Sequence, residues 1–500
     1  MRKSAPVVVG LDLGTSKTKA LACTLDGRTL SQTSESYDLI TPRPGYVEQD
    51  ANGVYRAALS ALQRVVSESL LHGHEIIGIG ISSAMHGLTA VDGAGEPIGP
   101  FMTWMDRRSS AIADGWREDG TALELYQHTG APMHPMLPIC KVQWTKQHDP
   151  ELFKRASRFV SLKELLVFRW CGEWAIDYGI ASATGMLDLR TKKWNAHALA
   201  AAGVDAARLS TPVSPLHVCR PTRGGIASSL GLDPSVPLVL ASSDGALANL
   251  GVGALLQGEV ALTLGTSGAC RAVVQAPLLD AQGRTFCYFL DESSYIVGGA
   301  TSSAGATLNW ILDLVLLDVP AADRFHVAMQ LAEKAPPGAD GVTCLPFLSG
   351  ERAPYWDASL RGAFIGLDLS NDRGTLIRAA IEAIVYTLYA VERILDALAG
   401  ASQSVILSGG LTHAALFRTM IADIFGKPVI VSDQDEASAF GAAMMAAVAV
   451  GAIPTLRDIK DRVRYPTIEK PDSERAGVYR RAFERYRRAV EALQPLYHQA

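Results

Sequence analysis

The sequence has little of what marks secreted, membrane-spanning or nucleic-acid-binding proteins. Its seven cysteines are scattered and none forms a C-x-x-C pair, which argues against a disulfide framework or a zinc site and favours a reducing, cytoplasmic compartment. The net charge is −5, with no long basic run before the C-terminus, which disfavours nucleic acid as a partner. The apolar stretch after Arg2 and Lys3 is too short for a signal peptide, and no apolar run reaches the roughly 18 residues of a membrane span.

Length and composition indicate a packed globular protein of two domains. The chain has 500 residues, which is more than one ordinary core accommodates. Apolar residues make up 48% of the chain and charged residues 19%, as in well-packed proteins.

A stretch near the middle of the chain, residues 238–273, carries the first candidate site residues. Leu238–Ser242 predicts a buried strand, and Asp244 follows it at the start of a helix of small residues. A carboxylate just past a strand end can act as a base, or it can simply cap the helix. The next strand ends in a turn of glycine and hydroxyl residues, Gly265, Thr266 and Ser267, which offers backbone N–H groups and hydroxyls to phosphate.

The N-terminal segment predicts a β-hairpin that could hold a phosphate. Val7–Leu13 predicts a strand, the turn Gly14–Ser16 ends it, and Asp26-Gly27 predicts a second hairpin turn. Dinucleotide-binding and P-loop folds place a helix directly after the glycine-rich turn, so this pattern excludes both. Residues 11–16 (LDLGTS) and 262–267 (LTLGTS) repeat, which predicts a duplicated fold in which Asp12 corresponds to Thr263.

Elsewhere the pattern predicts helices joined by irregular loops. The expected helices lie within 48–71 (with Asp50 as N-cap), 161–171, 246–250, 372–397 and 475–493. We expect the last of these to be a solvated surface helix. The proline-rich segment 129–141 and the segment 177–185 are expected to be irregular loops that carry binding residues.

Five motifs in order along the chain resemble those of the FGGY carbohydrate kinases, in the superfamily of sugar kinases, actin and heat-shock ATPases. They are LDLGTSKTK, ALTLGTSGA, GERAPYWDASLRGAFIGL, ILSGGLTHAALFRTMIADIFG and EASAFGAAM. The resemblance implies an α/β fold of two actin-like (ribonuclease H-like) domains, each a mixed β-sheet flanked by helices, around a deep cleft. Residues 1–252 would mainly bind sugar, and residues 253–500 would mainly bind ATP.

The resemblance also implies roles in transferring the γ-phosphate of ATP to a hydroxyl, expected to be the terminal one. Asp244 would be the catalytic base. Asp12 would hold Mg²⁺, through water, because Mg²⁺ keeps several waters. The ATP-binding residues would be Thr15, Ser16, Lys19, Gly265, Thr266, Ser267, Gly409 and Gly410, with Lys17 as an alternative cation to Lys19.

Other residues would select the sugar. The substrate-binding candidates are Met85, His86, Asp106, Arg108, His134 and Lys141, with an Arg108–Asp106 ion pair as the structural alternative for Arg108. The proline-rich loop resembles gluconate kinases, and Arg107 with other nearby cations would suit a carboxylate. The Met-His-Gly loop also resembles xylulose kinases, and gluconate kinases commonly have Ser at position 87 and TWADNR where this chain has TWMDRR.

We therefore expect a cytoplasmic gluconate kinase that uses ATP and Mg²⁺. A xylulose kinase of the same family is the first alternative, and a non-sugar actin-like ATPase is the alternative from another class. The expected partners are a small sugar or sugar acid and ATP, without nucleic acid or membrane, and the chain could form a homodimer.

Overall fold

The computed structural model describes residues 5–221 and 224–497, so Arg2 and Lys3, considered above for a signal peptide, lie outside the described residues. The chain forms two compact units that are discontinuous in sequence. The first comprises the described residues up to Leu255, with Val273–Ile296 and Glu436–Val463. The second comprises Leu256–Ala272, Val297–Asp435 and the described residues from Arg464 onwards. The assignment of sugar binding to residues 1–252 and of ATP binding to residues 253–500 stays a prediction.

The strands are numbered in chain order. They are β1 Pro6–Leu13, β2 Lys17–Thr24, β3 Thr29–Ser36, β4 Glu48–Gln49, β5 Glu75–Ser83, β6 Thr89–Val91, β7 Phe101–Met102, β8 Arg158–Val160, β9 Ala175–Asp177, β10 Thr211–Val213, β11 Val218–Cys219, β12 Leu238–Val239, β13 Glu259–Leu264, β14 Gly268–Val274, β15 Phe286–Phe289, β16 Tyr295–Thr301, β17 Thr343–Leu345, β18 Ala363–Ile365, β19 Ser404–Ser408, β20 Val429–Val431 and β21 Thr467–Glu469.

The α-helices are numbered in the same way. They are α1 Ala51–Leu71, α2 Ser110–Glu118, α3 Thr121–Thr129, α4 Pro138–His148, α5 Pro150–Arg155, α6 Leu162–Cys171, α7 Tyr178–Ser182, α8 Ala196–Ala202, α9 Gly224–Ser229, α10 Asp244–Gly251, α11 Gly305–Val315, α12 Arg324–Lys334, α13 Arg373–Ala399, α14 Ala415–Phe425, α15 Ala437–Ala449 and α16 Ser473–Tyr497.

The first unit is built on a mixed sheet with the strand order β11-β12-β5-β1-β2-β3. Strand β1 pairs antiparallel with β2, and β2 pairs antiparallel with β3. Strand β5 runs parallel to β1, and β12 runs parallel to β5. The turn Gly14–Ser16 joins β1 directly to β2 without a helix, and Gly27 adopts a φ of 89° between β2 and β3. Both predicted hairpins are therefore confirmed.

The second large sheet, with the order β15-β16-β14-β13-β19-β20-β21, repeats the arrangement around β1. Its strand β13 pairs antiparallel with β14 and parallel with β19. Leu262 on β13 lies opposite Leu407 on β19, as Leu11 on β1 lies opposite Ile81 on β5. Asp12 and Thr263 thus occupy equivalent positions, which confirms the predicted duplication.

Helix α1 covers one side of the first sheet because its apolar residues recur at helical spacing. Val54, Leu62 and Val65 are buried in the main core of the unit together with residues of β1 and β5. The helix begins after Asp50, whose Oδ1 accepts a hydrogen bond from Asn52 N at 2.9 Å. The predicted N-cap is therefore confirmed, and the helix begins at Ala51, directly after it.

Helix α15 packs against the same sheet so closely that backbone meets backbone. A Cβ atom added to Gly10 of β1 would lie 1.8 Å from Ala439 O, and one added to Gly80 of β5 would lie 2.0 Å from Ala442 O. On its other side, a Cβ atom added to Gly441 would lie 2.1 Å from Leu247 O of α10. Only glycine permits these approaches, so α15 packs directly on the backbones of β1, β5 and α10.

Three sequence-based expectations about local structure are wrong. The segment 129–141 is irregular only up to Leu137, because Pro138 occupies the first position of α4, where proline is tolerated. Residues 178–182 form the short helix α7, which Asp177 caps by accepting from Ile180 N at 2.9 Å. The C-terminal helix α16 is not wholly solvated, since Tyr479, Tyr486 and two smaller residues are buried.

Helix α13 is the one helix in the described ranges that is long and apolar enough to cross a membrane. In its most apolar window, 83% of the residues are buried inside the protein. The core helix of a globular unit meets the same criteria, so this feature is weak evidence for a membrane span.

The contact between Gly10 and α15 predicts a large effect of one methyl group. We expect Gly10→Ala to destabilise the first unit by about 1–3 kcal/mol, because the new methyl group would overlap Ala439 O. Gly93→Ala is the matched control, since a Cβ atom at that turn position meets no atom within 4 Å. Urea unfolding followed by circular dichroism measures both, and equal midpoints would contradict the proposed packing constraint.

Candidate active site

The turn between β1 and β2 is fixed by side chains from other parts of the first unit. The hydroxyl of Tyr37 donates to Gly14 O at 2.6 Å. Trp104 Nε1 donates to Thr15 Oγ1 at 2.9 Å, and Gln49 Nε2 donates to Thr15 O at 2.5 Å. Ser16 remains exposed at the tip of the turn. The turn is therefore held in one conformation, which favours binding of an anion by its hydroxyls and N–H groups.

Asp12 and Lys19 flank this turn on neighbouring strands. Ser82 Oγ on β5 donates to Asp12 Oδ1 at 2.6 Å. Burial raises the pKa of Asp12, although the Ser82 hydrogen bond and the charge of Lys19 oppose the shift. Lys19 forms an ion pair with Glu436, the residue before α15, and both side chains are about a quarter exposed. Lys17, the alternative cation, is exposed on the same strand.

Asp244 is the first residue of α10 and not its cap. The N-cap is Ser243, whose Oγ accepts from Ala246 N at 3.4 Å. The carboxylate of Asp244 accepts from Gly245 N at 2.7 Å, and Ser438 Oγ of α15 donates to Asp244 O at 3.1 Å. The capping alternative is therefore wrong, because a neighbouring serine caps the helix. The half-buried carboxylate lies at the positive end of the helix dipole, which favours its ionised form.

The backbone that leads into Asp244 is held by a buried lysine. Lys163 Nζ donates to Leu240 O at 2.9 Å, to Ser242 O at 2.7 Å and to Asp177 Oδ2 at 2.8 Å. These three acceptors match the three N–H groups of an ammonium ion. Burial lowers the pKa of Lys163, whereas the charges of Asp177 and Asp244 oppose that shift. Ala241, between the two carbonyls, adopts a φ of 53°, a conformation that needs such support.

A second buried lysine, Lys141, organises the loop around His86. Lys141 Nζ donates to His86 O at 2.6 Å, to Thr103 O at 2.7 Å and to Met102 O at 3.3 Å. Its side chain is fully buried, and burial lowers the pKa of Lys141 to about 7. The direct substrate contact expected for Lys141 does not fit this geometry, because its N–H groups are directed at backbone carbonyls.

His86 and its neighbours form the rest of the predicted sugar loop. His86 adopts a φ of 67°, and its Nδ1 lies 2.7 Å from Ala183 O. Met85 is half-buried against the smaller core of the unit. A Cβ atom at Gly87 would lie 2.0 Å from Phe101 Cζ. A serine at position 87, common in gluconate kinases, would therefore require Phe101 to move.

Asp106 and Arg108 form a buried ion pair, which was the structural alternative for Arg108. Arg108 Nε and Nη2 donate to the two carboxylate oxygens of Asp106 at 2.8 and 2.7 Å, and Nη2 also donates to Glu48 Oε1 at 2.5 Å. The guanidinium lies 4.1 Å from the ring centroid of Tyr46. The Arg108 side chain is 4% exposed, so this pair shapes the loop, and a substrate contact by either residue stays a prediction.

His134 lies in the irregular segment before α4 and is half-buried. Its Nδ1 accepts a hydrogen bond from Met136 N at 3.2 Å. This bond fixes Nδ1 as an unprotonated acceptor and leaves Nε2 to carry the proton of the neutral ring. A contact from His134 to substrate remains a prediction.

In the second unit, the turn between β13 and β14 is held by helix α11. Gly305 N donates to Gly265 O at 3.0 Å, and Ala306 N donates to Thr266 O at 3.0 Å. A Cβ atom at Gly305 would lie 2.6 Å from Gly265 O. Thr266 is exposed and Ser267 is half-buried. As in the first unit, packing from a distant segment fixes the turn.

Gly409 and Gly410 follow β19, which lies beside β13. Gly409 adopts a φ of 99°, and a Cβ atom there would lie 2.4 Å from Leu264 O. A Cβ atom at Gly410 would meet nothing within 4 Å. Gly409 is therefore required by the packing of the strand end, whereas Gly410 leaves its backbone accessible.

Comparisons with known proteins agree with this architecture. Residues 7–251 match the N-terminal domain of the FGGY family of carbohydrate kinases, and residues 260–450 match its C-terminal domain. The chain is 34% identical over 481 residues to a gluconokinase of Bacillus subtilis, covering 95% of this chain and 93% of that protein. It is 28% identical over 483 residues to a xylulose kinase of the same organism, covering 96% of both.

A solved structure of gluconate kinase from Lactobacillus acidophilus superposes with a TM-score of 0.94 at 30% identity, covering 99% of this chain and 100% of that one. The fold and these matches define a two-domain α/β kinase of the actin-like class. The chain belongs to the FGGY family of carbohydrate kinases, so it is a phosphotransferase with an alcohol acceptor and uses ATP and a sugar as substrates.

The lysines that hold the site loops were missed as positioning residues by sequence analysis. Lys163 was not considered, because a lysine inside a helical pattern is usually a surface residue. A signal was present: Lys163 lies in an otherwise apolar helix, LKELLVFRWC. Such a position indicates a buried charge with a partner elsewhere, which here is Asp177.

The hydrogen bonds of Lys163 to the backbone before Asp244 predict that Lys163 affects turnover without contacting substrate. We expect Lys163→Met to lower kcat by tenfold or more, with a smaller change in KM, because the backbone before Asp244 loses two hydrogen bonds. Unpairing Asp177 should also destabilise the first unit by about 3–5 kcal/mol. Steady-state ADP release and urea unfolding measure the two effects.

The double variant Lys163→Met/Asp177→Asn separates these effects. It removes the unpaired charge, so much of the lost stability should return while kcat stays low. Recovery of kcat together with stability would mean that Lys163 acts on folding alone.

Proposed function

We propose that Asp244 is the base that accepts the proton of the attacking sugar hydroxyl. Phosphoryl transfer requires such a group close to the nucleophile. The position of Asp244 at the first turn of α10 supports this role, because the helix dipole favours the carboxylate form that accepts a proton. This position is the observation on which the proposed mechanism rests, and Lys163 and Ser438 position the carboxylate without taking part in proton transfer.

We also propose that the two turns bind the phosphates of ATP. In the first unit the contributing residues would be Thr15, Ser16 and Lys19, and in the second Gly265, Thr266 and Ser267. Their support is that both turns are fixed by hydrogen bonds from other segments and present hydroxyl groups. Gly409 and Gly410 would let the nucleoside approach the backbone.

Asp12 suits a Mg²⁺ ion by the chemistry of its donor set. It offers carboxylate oxygen, a hard ligand, at the end of β1 next to the phosphate turn. Its raised pKa reflects the cost of burying a negative charge that a nearby cation would offset. When bound, Mg²⁺ would neutralise charge on the phosphates of ATP.

Among sugars, we propose gluconate as the substrate. The 34% identity to gluconokinase over almost the whole chain, against 28% to xylulose kinase, supports this choice. Arg107 and His134 are the cationic or donor groups proposed for the carboxylate, because a guanidinium and an imidazole N–H can both donate to carboxylate oxygens. Met85 and His86 would contact the sugar hydroxyls, and a terminal hydroxyl would be phosphorylated.

A cytoplasmic location and a homodimer are part of the same proposal. The seven cysteines are buried and free of disulfides, which is compatible with a reducing compartment. Size-exclusion chromatography with light scattering would distinguish a monomer from a dimer.

The role of Asp244 predicts a loss of turnover without a loss of fold. We expect Asp244→Asn to lower kcat by about 10²–10⁴-fold, because the amide cannot accept the proton. Asp233→Asn is the matched control, since Asp233 lies in an exposed turn of the same unit. ADP release and thermal unfolding are measured for both, and a kcat within a factor of two of wild type in Asp244→Asn would exclude it as the base.

A substrate panel tests the choice of sugar. With ATP and Mg²⁺ we expect the highest kcat/KM for gluconate among gluconate, xylulose, ribulose, glycerol and fuculose. Arg107→Gln should raise KM for gluconate about tenfold, as expected for the loss of one charge-assisted contact. Arg155→Gln, on the exposed helix α5, is the control and should leave KM for gluconate unchanged. Turnover of xylulose without turnover of gluconate would exclude gluconate while leaving the kinase activity intact.

A further inference from the structure

Three side chains of the metal-ligating type, those of Glu173, His217 and Cys219, meet at the β11 edge of the first sheet. Cys171 is the last residue of α6, Gly172, with a φ of 79°, is the C-cap of the helix, and Glu173 follows it. His217 and Cys219 come from the segment around β11, which pairs with β12. The two segments are far apart in sequence and are brought together by the packing of α6 against the sheet.

The ligand atoms of these three residues lie close together. His217 Nε2 lies 3.4 Å from Glu173 Oε2. One ligand atom each of Glu173, His217 and Cys219 lie within 4.8 Å of one another. In a tetrahedral zinc site with bonds of about 2.0–2.3 Å, neighbouring ligand atoms are about 3.3–3.8 Å apart. Small rotations of side chains would therefore suffice to enclose an ion.

A fourth candidate ligand is the thiol of Cys171, whose side chain contacts that of Cys219. Both cysteines are buried, whereas Glu173 and His217 are 42% and 34% exposed and leave a path for entry.

We propose that Cys171, Glu173, His217 and Cys219 form a binding site for a divalent transition-metal ion, with Zn²⁺ as the ion that the donor set favours. Two thiolates and an imidazole select a softer ion than the Mg²⁺ proposed for Asp12. Four protein ligands make the site structural and not catalytic. It would tie the end of α6 to β11, next to the strand that leads into Asp244.

The test uses the full-length chain, reduced and stripped of metal with a chelator. Zn²⁺ is titrated in competition with a chromophoric chelator, and Co²⁺ is used as a spectroscopic probe. We expect one Zn²⁺ per chain, a thiolate-to-cobalt charge-transfer band, and a rise in Tm on adding Zn²⁺. Binding of less than one ion per chain with no charge-transfer band would overturn the proposal.

Two ligand variants and one control make the result specific. His217→Ala and Cys219→Ser should each weaken Zn²⁺ binding at least about tenfold and remove the rise in Tm. The side chain of His217 is partly exposed, so His217→Ala remains informative if Cys219→Ser does not fold. Affinity equal to wild type in His217→Ala would overturn the proposal, as would a Cys171–Cys219 disulfide formed in the presence of Zn²⁺.

The control is His197→Ala. His197 Nδ1 lies 3.3 Å from Glu124 Oε1, a surface histidine–glutamate pair in the same unit. Removing it should leave the stoichiometry and affinity unchanged. An equal loss of binding in this variant would show that Zn²⁺ binds to surface histidines in general and would also overturn the proposal.

Discussion

The first unit depends on the close approach of α15 to its sheet. Gly10, Gly80 and Gly441 let this helix touch the backbone of β1, β5 and α10, where any side chain would overlap a carbonyl oxygen. Dispersion contacts at such distances are dense, and they leave little freedom for one element to move against another. Asp12 lies on β1, Asp244 begins α10, and Glu436 just before α15 pairs with Lys19. One packing constraint therefore sets the positions of the groups that we assign to phosphoryl transfer in this unit.

Two buried lysines hold the loops next to these packed elements. Lys163 and Lys141 each donate to backbone carbonyls of loops that carry candidate site residues. Taking a charge out of water is costly, and the cost is offset only where every N–H finds an acceptor. These lysines consequently permit one loop conformation each, including the positive φ of Ala241 and His86.

Several elements were predictable because the physics that forms them is local. The hairpin turns, the cap of α1 by Asp50 and the repeated LxLGTS strands depend on residues close in sequence. The predictions failed where two local preferences applied to the same residues. The loop predicted for residues 129–141 ends before Pro138, because proline is tolerated at the first position of a helix and α4 begins there. Ser243 capped α10 in place of Asp244, since two residues competent as caps lie side by side.

The class of fold, the duplication and the catalytic candidate could be read from the amino-acid sequence, because glycine turns, strand ends and periodic apolar residues act over a few positions. The family followed from five motifs that resemble those of FGGY kinases. Which charged side chains are available could be seen only in the folded chain. Lys141 and Arg108 were expected to face substrate, yet each is buried against partners from distant segments. It also placed Cys171 and Glu173 beside His217 and Cys219. Burial and pairing depend on contacts between segments, and the spacing of residues along one chain contains no record of those contacts.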